Sequence, residues 1–163
     1  MRLVGIASLA LLSGCPLLDV TAELEEVCVT RTGVQIEGVT ETSVSQQFTI
    51  DDLSEVHDLL ELDAELAFVR AEVRPASGVD SLAFVQSAHV SFDDMPIYAC
   101  DGNCPTLDNA VALQATAQVD ALDYLTRDSI DVSLDASGQL PASAWTVDVD
   151  VCVKGHISYT LEP

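Results

Sequence analysis

Residues 145–153 read Trp145-Thr146-Val147-Asp148-Val149-Asp150-Val151-Cys152-Val153. Odd positions are apolar and even positions largely polar, the period-two pattern of a strand with one buried face. Past Gly155 the parity continues through Ile157, Tyr159 and Leu161. This nine-residue run is the cleanest strand in the chain and sets the expectation for the rest of it.

Working outward, the same alternation recurs. Residues 129–135 place Ile130, Val132 and Leu134 on one face, and residues 88–92 place Ala88, Val90 and Phe92 inward. Residues 65–74 read as a strand with Ala67, Val69, Ala71 and Val73 facing one way and Leu66, Arg70, Glu72 and Arg74 the other. Strands are also expected over 26–32, 34–39 and 43–50, with a turn at Thr32-Gly33 between the first two, and over 110–119. Helix signals are few. Asp51 and Asp52 precede Leu53, Val56, Leu59 and Leu60, which share a helical face, and 81–85 and 120–126 read as helical turns. The expected fold is mainly β, a two-sheet antiparallel β-sandwich with one or two short helices. The alternative is an α+β arrangement, an antiparallel sheet with a helix on one face.

The strand pattern also pairs cysteines. Cys28 lies in Val27-Cys28-Val29 and Cys152 in Val151-Cys152-Val153, two strands with the same alternation. With Cys100 and Cys104 they make an even set, which in an exported chain reads as two disulfides. The favoured pairing is Cys28–Cys152 and Cys100–Cys104. A four-cysteine zinc site is the rival, but such sites are built from two close pairs and only one is present.

The amino terminus supplies the reason to expect export. Arg2 precedes a ten-residue apolar run, Leu3 to Leu12, that ends in Leu12-Ser13-Gly14-Cys15. A positive start, a short apolar middle and small residues before a cleavage point describe a secretory signal. A membrane-spanning helix needs about twenty apolar residues, an ordinary secretory cut would not favour Leu12, and a buried helix would want a polar face. Leu12-Ser13-Gly14-Cys15 resembles the lipobox of bacterial lipoproteins. The resemblance covers only the first fifteen residues. It implies a signal peptide over 1–14, cleavage before Cys15, a diacylglyceryl group on Cys15 Sγ, and acylation of the new amine, with palmitate as the expected chain. It places the protein outside the cytoplasm, lipid-anchored in the cell envelope, at the outer membrane if the source is Gram-negative. Residues 15–23 then form a lipidated start and short tether, and 24–163 the β domain.

Charge narrows the partners. The chain carries 27 acidic and six basic residues, a net charge of −21. Removal of 1–14 takes Arg2 with it and leaves 149 residues at −22, the basic ones being Arg31, Arg70, Arg74, Arg127 and Lys154. Nucleic acid is excluded as a partner, since phosphate binding needs a basic patch. An anionic bilayer repels such a body, so membrane attachment falls to the acyl chains on Cys15, and two or more chains hold stably. The remaining partner would be an envelope protein or glycan.

Catalytic motifs are missing: the sequence has no phosphate loop, dinucleotide fingerprint, HExxH or GxSxG. His57, His89 and His156 read as surface histidines. Asp93, Asp94, Asp101 and Asn103 crowd one segment, Asp148 and Asp150 share a strand face, and Asp131 and Asp135 share another. Calcium is the cofactor such oxygens would suit. None of these groups has EF-hand spacing, so solvated acid is the simpler reading and no cofactor or metal is expected. Residues 93–105 are the candidate contact loop. Turn chemistry puts Met95, Ile97 and Tyr98 near the surface, Pro96, Pro105 and the Cys100–Cys104 bond stiffen the segment, and Asp101 and Asn103 offer polar contacts at its tip. The competing reading tucks Met95, Ile97 and Tyr98 back over the end of the sandwich. Two functions follow: a lipid-anchored binding or structural module with no catalytic residue, or a small envelope enzyme without a recognisable motif.

Overall fold

The computed structural model describes residues 18–38, 41–56, 60, 64–116 and 119–161. The expected signal peptide and lipobox with Cys15, and His57 and Leu59, lie outside them. In chain order the elements are β1 (Leu18–Glu23), β2 (Val27–Ile36), β3 (Ser43–Ile50), a 3₁₀ turn (Ser54–Val56), β4 (Glu65–Ser77), β5 (Val85–Phe92), β6 (Met95–Cys100), β7 (Thr106–Leu107), β8 (Ala110–Ala115), α1 (Leu122–Leu125), β9 (Ile130–Gly138) and β10 (Trp145–Leu161).

The architecture is mainly β, as expected. All the named strand pairs are antiparallel and belong to one sheet, ordered β1-β10-β4-β8-β6-β5-β9-β3, with β2 also on β10 and β7 on β8. The sheet curls until its two halves face each other, so both layers of the sandwich come from one hydrogen-bonded surface. Curling follows from strand twist and from bulges, which bend a strand locally.

β10 is the axis. It pairs with β4 along one side and with β2 and β1, end to end, along the other. Val147, Val149, Val151 and Val153 of its odd face are buried, as the alternation requires. Trp145 begins that face and meets Phe84 edge-on, with ring centroids 5.4 Å apart.

Four local expectations change. Thr32-Gly33 does not separate two strands. Gly33 takes φ +68° and the register of β2 slips between Val147 and Val149, so the pair forms a bulge inside one ten-residue strand. A second slip, between Cys152 and Val153, sets Arg70 and then Phe68 against β10 and leaves Val69 as the extra residue of β4. Parity therefore flips: Leu66 and Phe68 are buried before it, Ala71 and Val73 after it, while Ala67 is exposed and Val69 half-buried. Residues 18–23, expected in the tether, form β1, whose register sets Leu18 opposite Leu161 and Glu23 opposite His156. The expected helix after Asp51 begins as the 3₁₀ turn, with Asp52 accepting the Ser54 N–H and hydroxyl. Leu60 is helical, and the residues between lie outside the described ones.

The remaining expectations hold with shifted bounds. Residues 110–115 are strand, and 120–126 contain α1, whose first N–H, from Leu122, donates to the Asp120 carboxylate at 3.0 Å. Residues 81–85 make one turn closed by Val85 N–H to Leu82 O rather than a helix.

The interior is filled by aliphatic side chains and a four-ring cluster. Phe68 of β4 lies edge-on to Phe92 of β5 at 5.1 Å, Tyr98 of β6 at 6.0 Å and Tyr124 of α1 at 5.7 Å. β4 and β5 are not neighbours in the sheet, so these rings join its opposed halves.

Candidate contact surface

The four cysteines pair as the strand pattern predicted. Cys28 and Cys152 stand directly opposite on β2 and β10 with Cα atoms 4.0 Å apart, and Cys100 and Cys104 close a five-residue loop at 5.3 Å. Glu26 brings a carboxylate beside Cys28 and Cys152. With both sulfurs in a disulfide there is no thiolate there to hold zinc. Arg70 bridges Glu26 at 2.8 Å and Glu72 at 3.1 Å on the surface beside this bond.

The candidate contact loop is corrected. Asp93 and Asp94 take φ values of +46° and +67°, which reverses the chain in two residues. Residues 95–100 therefore return as strand β6, between β5 and β8, instead of wandering over the surface. Pro96, which has no N–H, falls next to the register slip between Val90 and Ser91, where a missing donor is tolerated. Ile97 and Tyr98 are completely buried, and only Met95 of the three remains open, at 49%. Ile97 and Tyr98 are buried as the competing reading expected, but as part of an inner strand between β5 and β8 and not as a cap on the end of the sandwich.

Tyr98 crosses the interior to β10. Its hydroxyl donates to the Cys152 carbonyl at 3.4 Å, and burial, with the Glu26 carboxylate adding to it, pushes its phenol far above the ordinary tyrosine range. The folded pKa is raised, so the stability tied to the neutral phenol is complete below the unfolded value, about 10, and is lost as pH rises above it. Alkaline titration followed by absorbance should show Tyr98 ionising only together with unfolding. Replacement by Phe should remove that coupled step.

The polar residues of the segment divide. Asp101 and Asn103 are exposed at one end of β6, where His89 Nε2 lies 3.2 Å from Asp101 and the Asn103 N–H donates to Gln86 O. Asp93 and Asp94 are at the other end, about 20 Å away at the rise of a six-residue strand. The four do not converge as ligands. Asp93 pairs with Arg127, whose guanidinium also lies 4.7 Å from the Tyr124 ring centre. Asp150 is the buried carboxylate, held by Thr30 Oγ1 at 2.7 Å and Arg74 at 2.9 Å, and Asp148 accepts the Gly33 N–H. Asp131 takes the Thr49 hydroxyl and Asp135 that of Ser133. His156 lies 2.8 Å from Glu65. Apart from Asp94, these acids are engaged by neighbouring side chains or backbone.

A feature the sequence reading missed lies on the outer face of β3 and β9. Gln47 and Thr49 of β3, Asp131 and Ser133 of β9, and the Asp93-Asp94 turn surround an open groove of about 530 Å³. No short motif marks it, because its parts come from three separate stretches and meet only through the register of β3 on β9. Leu107, at the tip of the β7–β8 hairpin, is the most exposed large apolar side chain among the described residues, at 74%.

No family model matches the chain, and no curated protein matches it. Among solved structures it is similar to a chain of Cocksfoot mottle virus at 11% identity and TM-score 0.36, covering all of this chain and 95% of that one. It is similar to a chain of the empty head of Turnip Yellow Mosaic Virus at 15% identity and TM-score 0.31, covering 99% and 93%. Desmodium yellow mottle tymovirus is matched at 10% identity and TM-score 0.35, covering 100% and 97%. Likenesses this weak carry no argument about what the chain does.

Proposed function

We propose that the protein is a lipid-anchored binding or structural module of the bacterial cell envelope, held by acyl chains on Cys15. The observation that carries this is the cysteine arithmetic. Cys28, Cys100, Cys104 and Cys152 are consumed by two disulfides, which suits an oxidising, extracytoplasmic compartment. Their pairing leaves Cys15, in its lipobox setting, as the one cysteine outside the framework.

β1 adds a length. It enters the sheet at Leu18, so the chain from Cys15 to the fold reaches at most ~11 Å. The domain is carried close to its bilayer, while its acidity gives the body no attraction for anionic lipid. Among the described residues no helix is long and apolar enough to cross a membrane. The partner is an envelope protein or glycan met at the domain's outer surface.

Mass spectrometry of the protein extracted from its native membrane tests the anchor. The mature chain should begin at Cys15 with diacylglycerol and one further acyl chain. Cys15→Ser should stay uncleaved and unlipidated. A mature amino terminus at any other residue defeats the reading.

A further inference from the structure

Among the described strands β3 ends the sheet and hydrogen-bonds to β9 alone, while β2 approaches it and Arg31 of β2 pairs with Asp51 just past its end. Its register with β9 continues to Thr42, whose carbonyl accepts the Gly138 N–H. In an antiparallel pair, residues bonded to the partner alternate with residues whose backbone points away. Thr42 thus fixes the even positions as those bonded to β9. Ser43, Ser45, Gln47 and Thr49 direct their N–H and C=O groups outward, and among the described residues these find no backbone partner, although the Gln46 side-chain amide donates to the Gln47 carbonyl at 2.9 Å.

Sheet edges are ordinarily guarded by charge, proline or a bulge. The other edge of this sheet follows that rule, with Arg31 and the Thr32-Gly33 bulge on β2 and Glu23 in β1. β3 reads Ser-Val-Ser-Gln-Gln-Phe-Thr-Ile and has none of these devices, in a chain of net charge −21. Beside this neutral edge the flanking surface is acidic: Asp131 and Asp135 on β9, and Asp94 at the groove, where Asp93 is paired with Arg127.

We infer that the free edge of β3 receives an extended segment of a partner protein by strand addition, with Lys or Arg at alternate positions. Backbone groups of Ser43, Ser45, Gln47 and Thr49 supply the ladder. Basic side chains on the outer face reach across β3, about 5 Å per strand, toward Asp131 and Asp135. A second copy of this chain fits the edge poorly, because it would bring the same acids face to face. The inference deepens the binding-module reading and does not depend on the anchor.

The test uses the full-length protein in a neutral detergent and three labelled ten-residue peptides, read by fluorescence anisotropy. One alternates Lys with Val and Thr, one has Glu in place of Lys, and one keeps the Lys but interposes Pro. The first should bind at least about tenfold tighter than either control and weaken as salt rises. It should also slow exchange of the Ser45, Gln47 and Thr49 amides. Ser45→Pro removes an outward donor and should abolish binding. If that variant fails to fold, Gln47→Lys places a repelling charge at the same edge and should do the same. Asp131→Asn with Asp135→Asn should lower affinity severalfold and flatten the salt dependence. Equal binding of the Pro-containing peptide reduces the effect to bulk charge and overturns strand addition. Self-association that Ser45→Pro removes assigns the edge to a second copy and overturns the basic partner. Cys15→Ser protein should bind the peptide unchanged, so absence of peptide binding by lipidated protein sinks this inference and leaves the anchor standing.

Discussion

A Cys28→Ala/Cys152→Ala double variant should remain folded but lose about 3–5 kcal/mol of stability. The bond joins residues 124 apart, so in the unfolded chain it closes nearly the whole domain into a loop. Loop-closure entropy alone for that length is about 5 kcal/mol. The folded state loses less, because β2 and β10 stay paired by their ladder on both sides of the site. Replacing both cysteines avoids leaving a lone buried thiol at Cys152, which is fully covered. The contrast with Cys100→Ala/Cys104→Ala sharpens the result. That bond spans four positions, and the same entropy gives only about 2 kcal/mol. Urea unfolding of both variants measures the difference as a shift in midpoint. If the short bond proves as costly as the long one, chain entropy is not what the long bond contributes.

What could be read from the sequence divides along a physical line. Alternation reveals a strand wherever one face is buried and the other is wet, and β10, β9 and β5 were legible for that reason. The Cys28–Cys152 pair was legible too, since matching alternation on two strands anticipates matching faces. Bulges break the inference because one inserted residue reverses parity with no change in composition. Val69 does this in β4, and so Phe68, which the simple pattern left without a role, faces the interior. β6 was hidden by its own punctuation: Asp93, Asp94, Pro96 and Cys100 all read as loop, while the left-handed turn at Asp93-Asp94 makes a tight hairpin of them. β1 carried an alternation of its own, Leu18, Val20 and Ala22 against Asp19, Thr21 and Glu23, hidden by its nearness to the expected signal peptide. The groove and the bare edge of β3 were not legible at all. Which strand ends a sheet is decided by long-range pairing, and no local pattern encodes it.

Phe92→Ala should cost about 3–5 kcal/mol, the range for deleting a buried aromatic ring from a core that cannot close around the hole. Phe92 has no exposed surface, and its ring meets Phe68 at 5.1 Å, Tyr98 at 6.0 Å and Tyr124 at 5.7 Å. These partners come from β4, β6 and α1, and every contact is edge-to-face, a geometry worth a little beyond the area buried. Collapse is resisted because β5 is held in register by β6 on one side and β9 on the other. The backbone cannot move inward to fill the space without breaking a ladder. Phe84 provides the comparison: it is only partly buried, and its ring meets one aromatic neighbour, Trp145, edge-on. Phe84→Ala should therefore cost about 1–2 kcal/mol, since a half-exposed ring forfeits less transfer energy and leaves no closed cavity. Both variants should keep the wild-type denaturant slope, so midpoints can be compared directly. Equal losses at the two sites would show that the four-ring cluster does not hold the opposed halves of the sheet together.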